Sequence, residues 1–219
     1  MKTNIAHIRS WIFDLDNTLY PASAHLFGQI DARMKAFISR ELKLPPDEAL
    51  DLQKRYYRQH GTTLRGLMIN HNVDADAFLD FVHDIDHAVL GPDPALLAAL
   101  TRLPGRKFIY TNGTARHAAQ VMARLGVASL FDGIFDIRAG NYIPKPDPIP
   151  YRELVSRYGI DAASAAMFED SFKNLKPAAD MGMTTVWVRH DEHIPGLDDD
   201  LSHCHFVTDN MVEWLNGAI

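Results

Sequence analysis

The chain has 219 residues, 47% hydrophobic and 23% charged, proportions that exclude a disordered, collagen-like or coiled-coil protein. Twenty-two Lys and Arg against 28 Asp and Glu leave a net charge of −6, so no basic field exists to hold a nucleic acid polymer. The one cysteine, Cys204, excludes an internal disulfide framework and fits a reducing compartment.

The first nine residues lack the apolar centre of a signal sequence, and no run approaches the ~18 apolar residues that span a bilayer. The expected location is therefore cytoplasmic, with no membrane partner. Trp11-Ile12-Phe13-Asp14 follows, a continuous apolar run ending on an acid, as in strands covered on both faces. Residues 20 to 92 carry no strand signal. Leu26, Ile30, Met34, Phe37 and Ile38 form one helical stripe, and Phe78, Phe81, Val82, Ile85 and Val89 predict a second, with a polar, Tyr-rich stretch at 47 to 65 between them. Phe108-Ile109-Tyr110-Thr111 is a second strand. Thr114 then caps a helix through Ala118, Val121, Met122 and Leu125 that stops at Gly126. Gly133-Ile134-Phe135-Asp136 predicts a short strand, and Asp147-Pro148 opens a helix that ends at Gly159. Ala165 to Asp170, Thr185 to Val188 and His205 to Val207 complete the strand set. This alternation after residue 105 predicts an α/β protein with a parallel sheet and right-handed crossovers. The expected division is a core of 1–19 and 93–219, interrupted by a helical insertion of 20–92.

Chemistry-bearing residues fall at the strand ends. Asp14-Leu15-Asp16 presents two carboxylates, a spacing that also occurs in plain turns. Thr111-Asn112-Gly113-Thr114 opens a helix with a hydroxyl and free N–H groups where an anion can bind. Lys145 sits between Pro144 and Pro146 in a stiff loop, and Glu169-Asp170-Ser171 ends another strand. Ligands of open parallel sheets lie beyond the carboxyl ends of the strands, where Asp14, Thr111 and Asp170 fall, so these are expected to converge on one crevice.

In that order the four groups resemble the motifs of the haloacid dehalogenase-like (HAD) hydrolase superfamily: Asp14-Leu15-Asp16-Asn17-Thr18, Thr111-Asn112, Lys145 and Glu169-Asp170. The strings Phe13 to Pro21 and His60-Gly61-Thr62-Thr63-Leu64-Arg65-Gly66-Leu67 look like its pyrimidine 5'-nucleotidase branch. The resemblance implies a Rossmann-like parallel-sheet core with an inserted α-helical cap, and Mg²⁺-dependent hydrolysis of small phosphate monoesters, nucleoside 5'-monophosphates first among them. Sugar phosphates, phosphoglycolate, a phosphomutase, or a non-catalytic binding module on the same fold are the rival readings. A monomer or homodimer is expected. Asp14, Asp16, Asp170 and Glu169 are the implied metal set, although many relatives carry a second acid where this chain has Asn174. Four clustered carboxylates need a cation, and an oxygen-only donor set suits Mg²⁺. Asp14 is the expected nucleophile. Asp16 is the expected acid and then base, its pKa raised toward 7 by burial and anionic neighbours. Thr111 and Lys145 would hold phosphoryl oxygens, with Thr18, Asn112 and Gly113 in the substrate-binding set.

In the insertion, Tyr57, His60, Thr63 and Arg65 are expected to meet the leaving group, against the alternative of packing or surface. His203-Cys204-His205 and His190-Asp191-Glu192-His193 lack a zinc spacing and read as packing or surface histidines.

Overall fold

The computed structural model describes residues 5–190, 195–196 and 199–218. The first four helices, all lying between the first two strands, are α1 (Leu26–Leu42), α2 (Pro46–His60), α3 (Thr63–His71) and α4 (Ala75–Val82). The remaining helices are α5 (Pro94–Arg102), α6 (Ala115–Leu125), α7 (Pro148–Tyr158), α8 (Phe172–Asp180) and α9 (Met211–Ala218). The strands are β1 (Ser10–Phe13), β2 (Arg106–Tyr110), β3 (Gly133–Phe135), β4 (Ala165–Glu169), β5 (Thr184–Val188) and β6 (Phe206–Thr208), all parallel in the order β3-β2-β1-β4-β5-β6. The α/β parallel architecture is the one expected from the alternation.

Side chains alternate across a strand, and here both faces are covered. Trp11 and Phe13 pack with residues of α5, α6 and α9, while Ile12 and Phe108 pack with α7 and α8. That two-sided burial explains the unbroken apolarity of β1, whose four residues are all buried, each large side chain contributing roughly 1.5–3 kcal/mol. Helix ends follow the sequence signals. Thr114 and Asp147 accept backbone N–H groups at the starts of α6 and α7, and Gly126 and Gly159 close them with positive φ.

The inserted helices have their own apolar cluster, including Ile30, Phe37, Ile38, Leu52, Leu67 and Phe78. The polar stretch at 47 to 65 is largely α2, which turns Leu52, Gln53 and Tyr56 inward. Gly66 permits the close approach of α3, since a Cβ there would lie 2.4 Å from the Tyr56 side chain. The second stripe is not one helix. α4 stops at Val82, and the Asp86 carboxylate accepts the Ala88 N–H at 2.8 Å to cap a separate 3-10 turn at His87–Val89. That local bond competes with helix continuation, and Val89 is exposed. Among the described residues no helix is long and apolar enough to cross a membrane.

Candidate active site

Register brings the strand ends level. Phe13 pairs with Ile109 and with Phe168, so Asp14 and Glu169 emerge side by side one residue later, and the Asp14 N–H donates to Phe168 O at 2.9 Å. Into this point Lys145 sends a buried ammonium, donating to Asp14 Oδ1 at 2.6 Å, Glu169 Oε2 at 2.5 Å and Tyr110 O at 3.2 Å. The Lys145 N–H donates to Asn112 Oδ1 at 2.9 Å, which ties the lysine loop to the end of β2.

Carboxylate oxygens of Asp14, Glu169 and Asp170 lie within 4.8 Å of one another, with the Lys145 ammonium bonded to the first two. Burial pushes Asp14 up to about 6 against the pull of Lys145, with Asp170 and Asp16 adding to the rise. Burial also lifts Glu169 well above the usual range. For Lys145, burial works downward, yet Asp14 and Glu169 prevail and hold the ammonium above its ordinary pKa. A hard divalent cation fits this surplus of negative oxygen. Asp170 is steadied by His190 Nε2 at 2.8 Å from Oδ2. Glu169 is committed on both oxygens, Oε2 to Lys145 and Oε1 to Asn174 Nδ2 at 3.0 Å. Asn174 thus bonds to the acid that fixes the lysine.

Asp16 departs from expectation. Its Oδ1 accepts the Tyr20 hydroxyl at 2.5 Å and His117 Nε2 at 2.9 Å. Burial works to raise its pKa, but the His117 charge and hydrogen bond, with Tyr20 and His83, more than offset this and leave the carboxyl below the ordinary aspartate range. The predicted rise toward 7 is therefore corrected. The chain surrounds Asp16 with histidine and tyrosine donors instead of acids, and those donors favour the charged form.

A cavity of about 460 Å³ opens over these groups, within the size range of small-molecule sites. Its polar floor includes Asp14, Asp16, Thr111, Asn112, Gly113, Lys145, Glu169 and Asp170, and its opposite wall carries Phe27, Ile30, Met34, Leu64, Phe78 and Leu79 from the inserted helices. Tyr57 and Thr63 line it, Tyr57 half exposed with its hydroxyl pushed up to about 12 by burial and by Asp170 and Glu169. Thr63 is buried and donates to Gln53 O at 3.1 Å.

Thr18, His60 and Arg65 do not line this cavity. Thr18 is buried, His60 packs edge-on against Tyr56, and the Arg65 N–H is capped by Thr62. His203 and His205 bond to Phe172 O and the Thr185 backbone N–H, while residues 191–193 of the His190 string lie outside the described residues. Sequence reasoning passed over Tyr20, Asp31, Gln53, His83, His87 and His117. Of these only His117 carries a usable signal, its place three residues beyond the Thr114 cap.

The family model of the haloacid dehalogenase-like hydrolases matches residues 8–182. Phosphate metabolism protein 8 of Saccharomyces cerevisiae is 30% identical over 194 residues, covering 80% of this chain and 60% of that protein, so the chain spans well under the whole length of this relative. A phosphoglycolate phosphatase of Neisseria gonorrhoeae is 27% identical over 203 residues, covering 86% of this chain and 83% of its own. Among solved structures, the L-2-haloacid dehalogenase RSc1362 is similar with a TM-score of 0.63 at 20% identity, covering 96% and 98% of the two chains, a likeness in fold.

Proposed function

The chain belongs to the haloacid dehalogenase-like hydrolase family, and from that premise we propose that it is a Mg²⁺-dependent phosphatase of small phosphate monoesters that acts on pyrimidine nucleoside 5'-monophosphates. One observation carries this reading: a cavity whose floor joins Asp14, Asp16, Thr111 and Lys145 while the inserted helices line it with apolar side chains such as Phe27 and Phe78 together with Tyr57, Lys54 and Arg58. The floor suits a phosphoryl group, and the wall suits a leaving group with flat apolar faces.

Asp14 and Asp170, with the main-chain carbonyl of Asp16, would hold the Mg²⁺, and the carboxylate oxygens of Asp14, Glu169 and Asp170 within 4.8 Å of one another support a cation there. When bound, the ion neutralises phosphoryl charge. Glu169 serves to hold Lys145. In the first step an Asp14 carboxylate oxygen forms the bond to phosphorus as the ester oxygen leaves, giving an aspartyl-phosphate. Asp16 delivers a proton to the departing alkoxide, then removes one from the water that cleaves the acyl-phosphate. Its resting anionic state suits the second task, and the approach of a phosphate dianion raises its pKa for the first. Thr111 and Lys145 hold phosphoryl oxygens as charge develops. The placement of Asp16 beside Asp14 argues against dehalogenation, because a departing halide needs no proton.

A second reading, hydrolysis of a smaller anionic ester such as phosphoglycolate, is favoured by Lys54 and Arg58 on the cavity wall and by the name of the Neisseria relative. Phosphate release from a panel of nucleoside monophosphates, sugar phosphates and phosphoglycolate, with and without Mg²⁺, tests both. A kcat/KM highest for phosphoglycolate overturns the nucleotide assignment, and no release from any monoester overturns the phosphatase assignment.

A further inference from the structure

Asp16 is held by a chain of histidines. His117 is fully buried on α6, and its Nε2 lies 2.9 Å from Asp16 Oδ1. Its Nδ1 lies 2.9 Å from Nε2 of buried His87, in the 3-10 turn beyond α4. An ionised carboxylate only accepts hydrogen bonds. His117 therefore presents an N–H from Nε2 to Asp16, whichever ring carries the hydrogen shared with His87. His83 stacks on the His117 ring with centroids 4.7 Å apart and planes 23° apart, and donates its own Nδ1–H to Leu79 O at 2.9 Å. The ring thus has a fixed plane and a fixed partner on each nitrogen.

The consequence lies in which oxygen of Asp16 is left. Tyr20 and His117 both address Oδ1, and Oδ2 takes no hydrogen bond among the described residues. Two donors on one oxygen set the carboxylate's rotation and leave the other oxygen to exchange a proton. Resting on the phosphatase reading above, we propose that His117, braced by His87, is the positioning residue that aims Asp16 Oδ2 at the leaving-group oxygen. Orientation of this kind is worth most where the leaving group depends on the delivered proton.

The test measures kcat/KM, which covers the steps through departure of the leaving group, for the whole protein with Mg²⁺. Substrates are p-nitrophenyl phosphate, whose leaving group needs little protonation, and a uridine monophosphate, whose alkoxide needs it. His117→Leu removes the donor. His117→Gln keeps an N–H at the reach of Nε2. We expect His117→Leu to lose roughly 10–100-fold on the nucleotide, a part of the usual acid–base contribution, and less than about 3-fold on p-nitrophenyl phosphate, with His117→Gln recovering most of the nucleotide rate. In an Asp16→Asn background the same His117→Leu change should have almost no further effect, the non-additivity expected of groups acting through one another. Should His117→Leu fold poorly, His87→Leu, which removes the brace, should show the same split to a smaller degree. Parallel losses on both substrates, or equal losses in the two backgrounds, overturn the positioning role while leaving the phosphatase reading intact. A wild-type protein inactive on every monoester overturns both.

Discussion

Replacing Lys145 by Met keeps most of the side-chain volume and removes one buried charge. The ammonium lies 2.6 Å from Asp14 and 2.5 Å from Glu169, so at an effective dielectric of ~20 each attraction is about 6 kcal/mol. The two carboxylates, with oxygens within 4.8 Å, repel by about 3 kcal/mol or more on the same scale. Desolvation consumes much of the gross attraction, and removing one partner from a buried pair typically costs about 3–5 kcal/mol. That cost depends on pH. Without Lys145 the acids can relieve their repulsion by binding protons, and a carboxyl whose folded pKa is raised contributes stability at low pH that is lost as pH rises through that pKa. Asp14 already stands near 6 with the lysine present and should climb further without it. Urea denaturation of the metal-free protein is therefore expected to show Lys145→Met less stable by about 3–5 kcal/mol near pH 8, the deficit shrinking toward pH 5. Millimolar Mg²⁺ should restore part of the loss at pH 8 by supplying the missing positive charge. A deficit below about 1 kcal/mol, or one equal at both pH values, would refute the view that Lys145 neutralises this acidic cluster.

Asp14→Asn should abolish phosphate release while circular dichroism shows an unchanged fold, because the amide cannot form the aspartyl-phosphate; more than a few per cent of activity would count against Asp14 as nucleophile. His83, pushed down to about 4 chiefly by burial, then by His117, stays neutral in the fold, so its contribution to stability is present above pH ~6.5 and lost as pH falls through 4. His83→Gln should flatten the decline in stability between pH 7 and 4 by roughly 2–3 kcal/mol, measured against wild type by denaturant unfolding, and identical declines would show that His83 is not held neutral. Gly66→Ala sets a helix-propensity gain of ~1 kcal/mol against a Cβ 2.4 Å from Tyr56, where overpacking costs about 1–3 kcal/mol. Net destabilisation is expected in thermal unfolding, and a raised Tm would mean that α2 and α3 part without strain.

Much of the architecture was legible because its causes are local. A strand buried on both faces must be apolar throughout, as Trp11 to Phe13 are, and caps such as Thr114, Asp147 and Gly126 act within a few residues of where they stand. The meeting of Asp14, Thr111 and Asp170 at one cavity was likewise readable from strand ends in a parallel sheet, a rule of topology that leaves the contacts themselves open, whereas Lys145 reaches them from a loop. The state of Asp16 was not readable. From sequence its neighbours are acids, whereas folding brings it to His117, 101 positions away, and reverses the direction of its pKa shift. Sequence proximity also misled at Arg65 and His60, which a motif-like string places together but which do not line the cavity, while Gln53 and Asp31 reach it without any motif. Electrostatic environment depends on distances of a few ångströms between groups far apart in the chain, and only tertiary packing sets those distances.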